Sequence, residues 1–272
     1  MEGADARPWL HDLVTTDVEG LAVGRSRRSL LLTPTGRIRA DFHVAAVEGS
    51  FLLLQALEQE ERVDAILRPY VLSSDVRIED RSDRLLLLSF LGAVLGDGPI
   101  EEGPDLVAFT PSVMGRGHDV VVPVDGSEPL LERLRASGSV EVTPAHLEAW
   151  RIRDGTPRMG VDFGSEALPA EAGLEDTIDF TKGCFLGQES VAKVRNLGHP
   201  PRVLLHVGSH GPIAPGAAVV SGDEVVGEVT SATQAPDGSA PDGSDAIVRV
   251  RWDADKDRLA TAAGPLVLRN TR

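Results

Sequence analysis

The strongest constraint on the fold is a change of texture at Pro200. Before it, strand-like and helix-like segments alternate. After it come short alternating strands with Gly- and Pro-bearing turns, and no helical period appears until about Asp253. RVLLHVG, AAVV, EVVGEVTSA and AIVRVRW read as a small β-barrel or sandwich over 199–272. Within it APDGS occurs twice in tandem at 235–244, which predicts an exposed hairpin tip.

Upstream, residues 1–20 predict a short helix through Trp9, Leu10, Leu13 and Val14. SLLLTPTGRIRADFHVAAV predicts two strands around the turn Thr33-Pro34-Thr35-Gly36, the second alternating from Arg37 to Val44. GSFLLLQAL adds strand material. LEQEERVDAILRPYVL has a helical pattern through Leu57, Val63, Ile66 and Leu67 that stops at Pro69. RLLLLSFLGAVL predicts a strand with a possible helix start, and DLVAFTPSVMGRGHDVVVPV predicts two strands. PLLERLRASG predicts a helix ending at Gly138, and Thr143-Pro144 caps another that runs to about Asp154. Residues 49–139 thus suit an α+β layer with helices on one face of a sheet.

Composition removes several classes. One cysteine among 272 residues excludes an internal disulfide and a cysteine-rich metal cage within the chain. The longest strongly apolar stretch, Leu85 to Leu95, is broken by Ser89 and Gly92 and is too short for a membrane span. MEGADARPWLHD lacks the basic flank and apolar stretch of a secretory signal, so a soluble, cytoplasmic protein is expected. The seven histidines show no paired ligand spacing, and no metal site is expected.

Lys+Arg total 27 against 42 Asp+Glu, a net charge of −15, which disfavours nucleic acid as a partner. The cations are clustered all the same. Residues 25–39 hold Arg25, Arg27, Arg28, Arg37 and Arg39 and no acid, and 182–202 hold Lys182, Lys193, Arg195 and Arg202 against Glu189 alone. Such clusters on an acidic chain suit a pocket for an anionic small molecule; equally, the arginines pair with surplus surface carboxylates.

The most informative stretch is Asp179-Phe180-Thr181-Lys182-Gly183-Cys184-Phe185-Leu186-Gly187-Gln188-Glu189. Gly183 permits a tight or left-handed backbone beside Cys184, and Gly187-Gln188-Glu189-Ser190 opens a helix to Arg195. A nearby helix N-terminus and Lys182 both favour thiolate at Cys184. The alternative is an inert cysteine packed as a small hydrophobe.

KGCFLGQE resembles the Lys-Gly-Cys-aromatic-x-Gly-Gln-Glu signature of the YgfZ-type folate-binding proteins, relatives of the aminomethyltransferase (T protein) of the glycine cleavage system. GADARPWLHDLVTTDV, LLLTPTGRIRADFHV, ILRPYVLSSDVRIED and VVGEVTSA are similar to further segments of that family. The resemblance implies an α+β protein built as a three-domain ring of the aminomethyltransferase type. Residues 1–48 plus 140–198 would form a discontinuous folate-binding domain, 49–139 a ferredoxin-like middle layer, and 199–272 the C-terminal β-barrel. It implies tetrahydrofolate or a derivative as ligand, a role in assembling or repairing iron–sulfur enzymes, including tRNA-modifying ones, and a monomer.

Site residues follow by the same resemblance. Cys184 is the reactive thiol and Lys182 its electrostatic support; Gln188 and Glu189 cap or orient the loop. Asp41 stands where the T protein has an essential acidic residue near the folate. Arg37 and Arg39 share a strand face with Asp41 and suit the acidic tail of a folate. Where the T protein has a glutamate that contacts the pterin, Arg151-Ile152-Arg153-Asp154-Gly155 places Arg153, which cannot accept a pterin N–H. That departure favours the YgfZ branch. The alternatives are a folate-dependent aminomethyl or one-carbon transferase of the T-protein type, and a scaffold that has lost its ligand. The T-protein opening usually follows about thirty further residues, so either the start lies upstream of Met1 or an edge strand is missing.

Overall fold

A computed structural model describes residues 1–91, 107–115, 117–233 and 243–269. The chain divides into two compact units: Met1–Leu31, Ala40–Val142 and Thr177–Leu186 in one, and Leu32–Arg39, Thr143–Asp176 and Gly187–Arg272 in the other.

In the first unit, helix α1 (Ala6–Leu13) turns Leu10 into a core shared with Val14, Val18, Phe42, Phe51 and Leu67. Strands β1 (Ser26–Leu32), β2 (Ile38–Val47) and β3 (Ser50–Leu54) form one sheet in the order β1-β2-β3. Strand β2 alternates as expected: Ile38, Ala40, Phe42 and Val44 are buried, while Arg39, Asp41 and His43 are half-buried on the opposite face. Met1 and Glu2 lie beside β3, with Phe51 N donating to Met1 O at 2.8 Å, and Glu2 also bridges Arg77.

One expectation is corrected here. The helical pattern from Leu57 shrinks to α2 (Val63–Leu67) followed by a 3₁₀ turn at Arg68–Tyr70, and Leu57 is 98% exposed. The cause is side-chain competition for the main chain. Val63 N donates to Gln55 Oε1 at 2.6 Å, which fixes the helix start there and leaves 55–62 as a loop.

The rest of this unit is the antiparallel sheet of β4 (Leu85–Leu91), β5 (Val107–Phe109) and β6 (Gly117–Pro123), in the order β4-β6-β5. Helix α3 (Glu128–Ala136) covers one face, packing Leu130 and Leu134 on Val120 and Val122. The possible helix start at 92–95 and most of the APDGS tandem lie outside the described residues.

In the second unit, α4 (Pro144–Arg153) starts as the sequence indicates. The Thr143 side chain accepts from His146 N, and His146 Nδ1 accepts from Thr143 N in a capping box. Helix α5 (Gln188–Leu197) begins at Gly187. The predicted barrel is a closed one. Strands β7 (Arg202–Ser209), β8 (Ala218–Ser221), β9 (Glu224–Ala232), β10 (Ser244–Arg251), β11 (Leu259–Thr261) and β12 (Gly264–Leu268) run in the order β10-β7-β12-β11-β8-β9. Its interior is filled by residues such as Val207, Val219, Val229, Val248 and Leu259. No described helix is long and apolar enough to cross a membrane.

A buried polar cluster fastens α4 to the barrel. Arg151, 3% exposed, donates from Nη1 to Asp162 Oδ2 at 2.7 Å and from Nη2 to Ser231 Oγ at 2.7 Å, and pairs with Glu148 along its own helix. Asp162 also accepts from Thr230 Oγ1 and Ser231 Oγ, both at 2.6 Å, and from Arg158 N at 2.9 Å. Arg151 also holds Glu148, whereas the charged partner of Asp162 in this cluster is Arg151, so removing Arg151 leaves the buried carboxylate uncompensated. Arg151→Ala should therefore cost about 3–5 kcal/mol in denaturant unfolding. Arg249→Ala, which breaks an exposed pair with Glu228, should stay within about 0.5 kcal/mol. Equal effects from the two substitutions would refute the assignment.

Candidate functional site

The outward face of β2 carries Asp41 and His43. Arg28 reaches across from β1 and grips Asp41 with two donors, Nε to Oδ1 at 2.9 Å and Nη2 to Oδ2 at 2.6 Å. The two side chains are only 16% and 10% exposed. A two-pronged guanidinium–carboxylate contact of this kind fixes direction as well as charge. The Asp41 main chain is held separately, because its N–H donates to Gln59 Oε1 at 2.8 Å. The guanidinium in this two-pronged contact comes from Arg28 on β1.

His43 follows Asp41 on the same face. Its Nδ1 is buried and has no hydrogen-bond partner among the described residues. Burial first, and then the nearby Arg28 charge, pulls the imidazole pKa down to about 4 against the pull of Asp41, so the ring is neutral at pH 7. Alternation along β2 is the sequence signal that could have singled out His43.

The remaining basic residues divide between the two units. Arg37, just before β2, is engaged by Glu166: Nη1 donates to Glu166 O, and Nε lies 3.8 Å from Oε2. This pair is exposed and contributes little to stability. Arg39 is half-buried and belongs to the second unit, as do Gln188 and Glu189. Arg153 ends α4, largely exposed, with Nε 3.9 Å from Asp245 Oδ2.

The KGCFLGQE motif separates into different jobs. Lys182 was expected to support the thiol by its charge. Lys182 is 9% exposed, and its ammonium donates to three carbonyls: His11 O, Val14 O at 2.6 Å and Thr16 O at 2.9 Å. The Phe185 ring lies 5.5 Å away on a further side. Burial lowers the Lys182 pKa to about 8, with Asp17, Asp12, Asp179 and Glu19 opposing. All three protons of the ammonium are used in these contacts. Lys182 therefore ties the 179–185 loop to the end of α1. Asp179 braces the same loop, its Oδ1 accepting from Thr181 N at 2.8 Å, from Thr181 Oγ1 at 2.6 Å and from Lys182 N at 3.2 Å. Cys184, the sole cysteine, is exposed on this loop.

The left-handed glycine of the motif is Gly187, at φ +83°; Gly183 is not among the positive-φ glycines. A Cβ on Gly187 would stand 2.5 Å from Thr33 O, and Ser190 Oγ donates to Pro34 O at 3.0 Å. Gly187 thus lets the start of α5 lie against the β1–β2 turn. The cap residue of α5 is Gly187, and Glu189 pairs with Lys193 at 2.8 Å on the exposed surface.

The depressed pKa of His43 has a stability consequence of definite sign. Below its ordinary pKa of about 6.5 the unfolded chain takes up a proton that the folded chain refuses until about pH 4. Stability from this group is intact above pH 6.5 and falls as pH drops through that window, by roughly 3 kcal/mol in all. In urea unfolding across pH 7 to 4, His43→Gln should reduce the loss with falling pH by up to one proton's worth. An unchanged slope would show that His43 titrates normally.

Residues 1–94 match the GCVT N-terminal domain. A chloroplastic protein of Arabidopsis thaliana, named as a transferase, is 24% identical over 260 residues, covering 88% of this chain. The chain spans 60% of that relative's length. An aminomethyltransferase of Streptomyces avermitilis is 26% identical over 264 residues, covering 86% of this chain and 71% of the enzyme. The crystal structure of the glycine cleavage system aminomethyltransferase T from Bartonella henselae superposes with a TM-score of 0.77 at 21% identity, over 98% of this chain and 80% of that one, a likeness of fold. The chain is thus similar to the GCVT N-terminal domain over its first third and to aminomethyltransferase T in fold.

Proposed function

We propose that this chain binds a reduced folate on the outward face of β2 and takes part in folate-dependent one-carbon transfer of the aminomethyltransferase type. The observation that carries the reading is Asp41, fixed by Arg28 on one side and Gln59 on the other, within the stretch that matches the GCVT N-terminal domain. The aminomethyltransferase relatives point the same way. The residues fit such a ligand, since Asp41 supplies an acceptor, Arg28 a donor array, and His43 a neutral ring whose Nδ1 lacks a partner among the described residues.

Tetrahydrofolate supplies nitrogen atoms able to carry a one-carbon unit. The chain's own part is binding and orientation. Asp41 accepts hydrogen bonds from N–H groups and attracts an amine-bearing donor by charge. Arg28 keeps that carboxylate from swinging away. His43, uncharged at neutral pH, adds a polar edge without a competing positive charge. Arg37 and Arg39, offered by the sequence for the acidic tail, belong to the second unit.

Calorimetric titration with tetrahydrofolate tests this directly. The wild type should bind saturably, and Asp41→Ala should weaken binding by about tenfold or more, roughly 1.4 kcal/mol. Formation of 5,10-methylenetetrahydrofolate from an aminomethyl donor should fall with it. Wild-type protein that is folded yet binds no tetrahydrofolate would refute the proposal.

A second reading, service to iron–sulfur enzymes, is favoured by one observation: Cys184 is exposed on a loop that Lys182 holds in place. Under it, Cys184→Ala should slow maturation of iron–sulfur enzymes in cells while leaving tetrahydrofolate affinity unchanged. Normal maturation in that strain would leave one-carbon transfer as the sole reading.

A further inference from the structure

We infer that Gln59 is a positioning residue for Asp41, setting the aim of the carboxylate by holding the main chain beneath it. The inference rests on the assignment of Asp41 to ligand binding. The β2–β3 ladder runs from Val47↔Ser50 to His43↔Leu54, and Asp41 lies beyond that last pair. Its N–H would have no strand partner there. Gln59 Oε1 takes that place at 2.8 Å, from a side chain that is 5% exposed.

The carboxamide is itself anchored. Gln59 Nε2 donates to Glu61 O at 3.0 Å, and Gln55 Nε2 donates to the same carbonyl at 3.3 Å. Gln55 Oε1 then accepts from Val63 N at the start of α2. Two glutamines thus converge on one carbonyl and pin the 55–62 loop to β2 at Asp41. An acceptor and a donor on one side chain of this length is what glutamine provides, and an isosteric methionine has no donor and only a weak sulfur acceptor. Arg28 grips the carboxylate end of Asp41, whereas Gln59 grips its main-chain end. Losing the second grip lets the strand end relax and the carboxylate drift from the direction Arg28 alone cannot fix.

A double-mutant cycle read by tetrahydrofolate titration tests this. Gln59→Met should weaken binding about tenfold in the wild-type background. It should add no further loss in the Asp41→Ala background, because the effect passes through Asp41. Equal losses in both backgrounds would overturn the inference, as would unaltered binding by Gln59→Met. The milder Gln59→Asn, which shortens the reach by one methylene, guards against loss of folding. In it the Asp41 amide should exchange with solvent faster than in the wild type while Val44, inside the ladder, keeps its rate; equal rates at Asp41 overturn the inference. Asp41-dependent binding with a silent Gln59→Met fails this inference alone, whereas absence of wild-type binding removes the functional reading and the inference together.

Discussion

The register of β2 is the constraint on which the candidate site depends. One face of this strand is core, with Ile38, Ala40, Phe42 and Val44 fully or almost fully buried; the other carries Arg39, Asp41 and His43. A slip of one residue would drive Asp41 inward and turn Phe42 out to solvent. The slip is opposed from both ends. The Thr33–Gly36 turn closes with Gly36 N on Thr33 O at 2.8 Å, and the β3 ladder fixes the strand from His43 onward. Between them, beyond the last β3 pair, Gln59 supplies the acceptor for the Asp41 N–H.

Two arginine–carboxylate contacts in this protein use the same chemistry for different ends. Asp162 is closed off, accepting from Arg151, Arg158 N, Thr230 and Ser231 with its side chain fully buried. Such a group has no capacity left for a ligand, and its role is to join α4 to the barrel. Asp41 receives Arg28 and keeps a tenth of its side chain exposed. With a bidentate partner on one side and unused lone pairs, it is oriented yet still able to accept. Environment, not residue type, separates the structural carboxylate from the candidate functional one.

The KGCFLGQE stretch shows how a contiguous motif can divide its labour. Lys182 spends its protons on carbonyls, and Gly187 provides a left-handed turn where a side chain would strike Thr33 O. What remains for chemistry is Cys184, exposed on a loop whose position those neighbours secure. A short motif is thus compatible with one reactive group and several residues that only build its setting.

Much of this was legible in the chain because it is local. Period-two alternation marked β2, the Thr143-Pro144 cap marked α4, and the texture after Pro200 marked the barrel. The failure at Leu57 was also local in appearance: apolar spacing suggested a helix, but side chains of Gln55 and Gln59 claimed main-chain groups that spacing does not reveal. Partner choice was not legible. Arg28 was one of five arginines in the basic run, and only cross-strand packing sets it on Asp41. Lys182 finds its three carbonyls 166 to 171 residues away. The sequence by itself determined which faces are apolar and where elements begin, since those follow from neighbours a few residues apart. The tertiary structure alone decided which charge meets which, because hydrogen bonds and ion pairs act over a few ångströms of space between groups far apart along the chain.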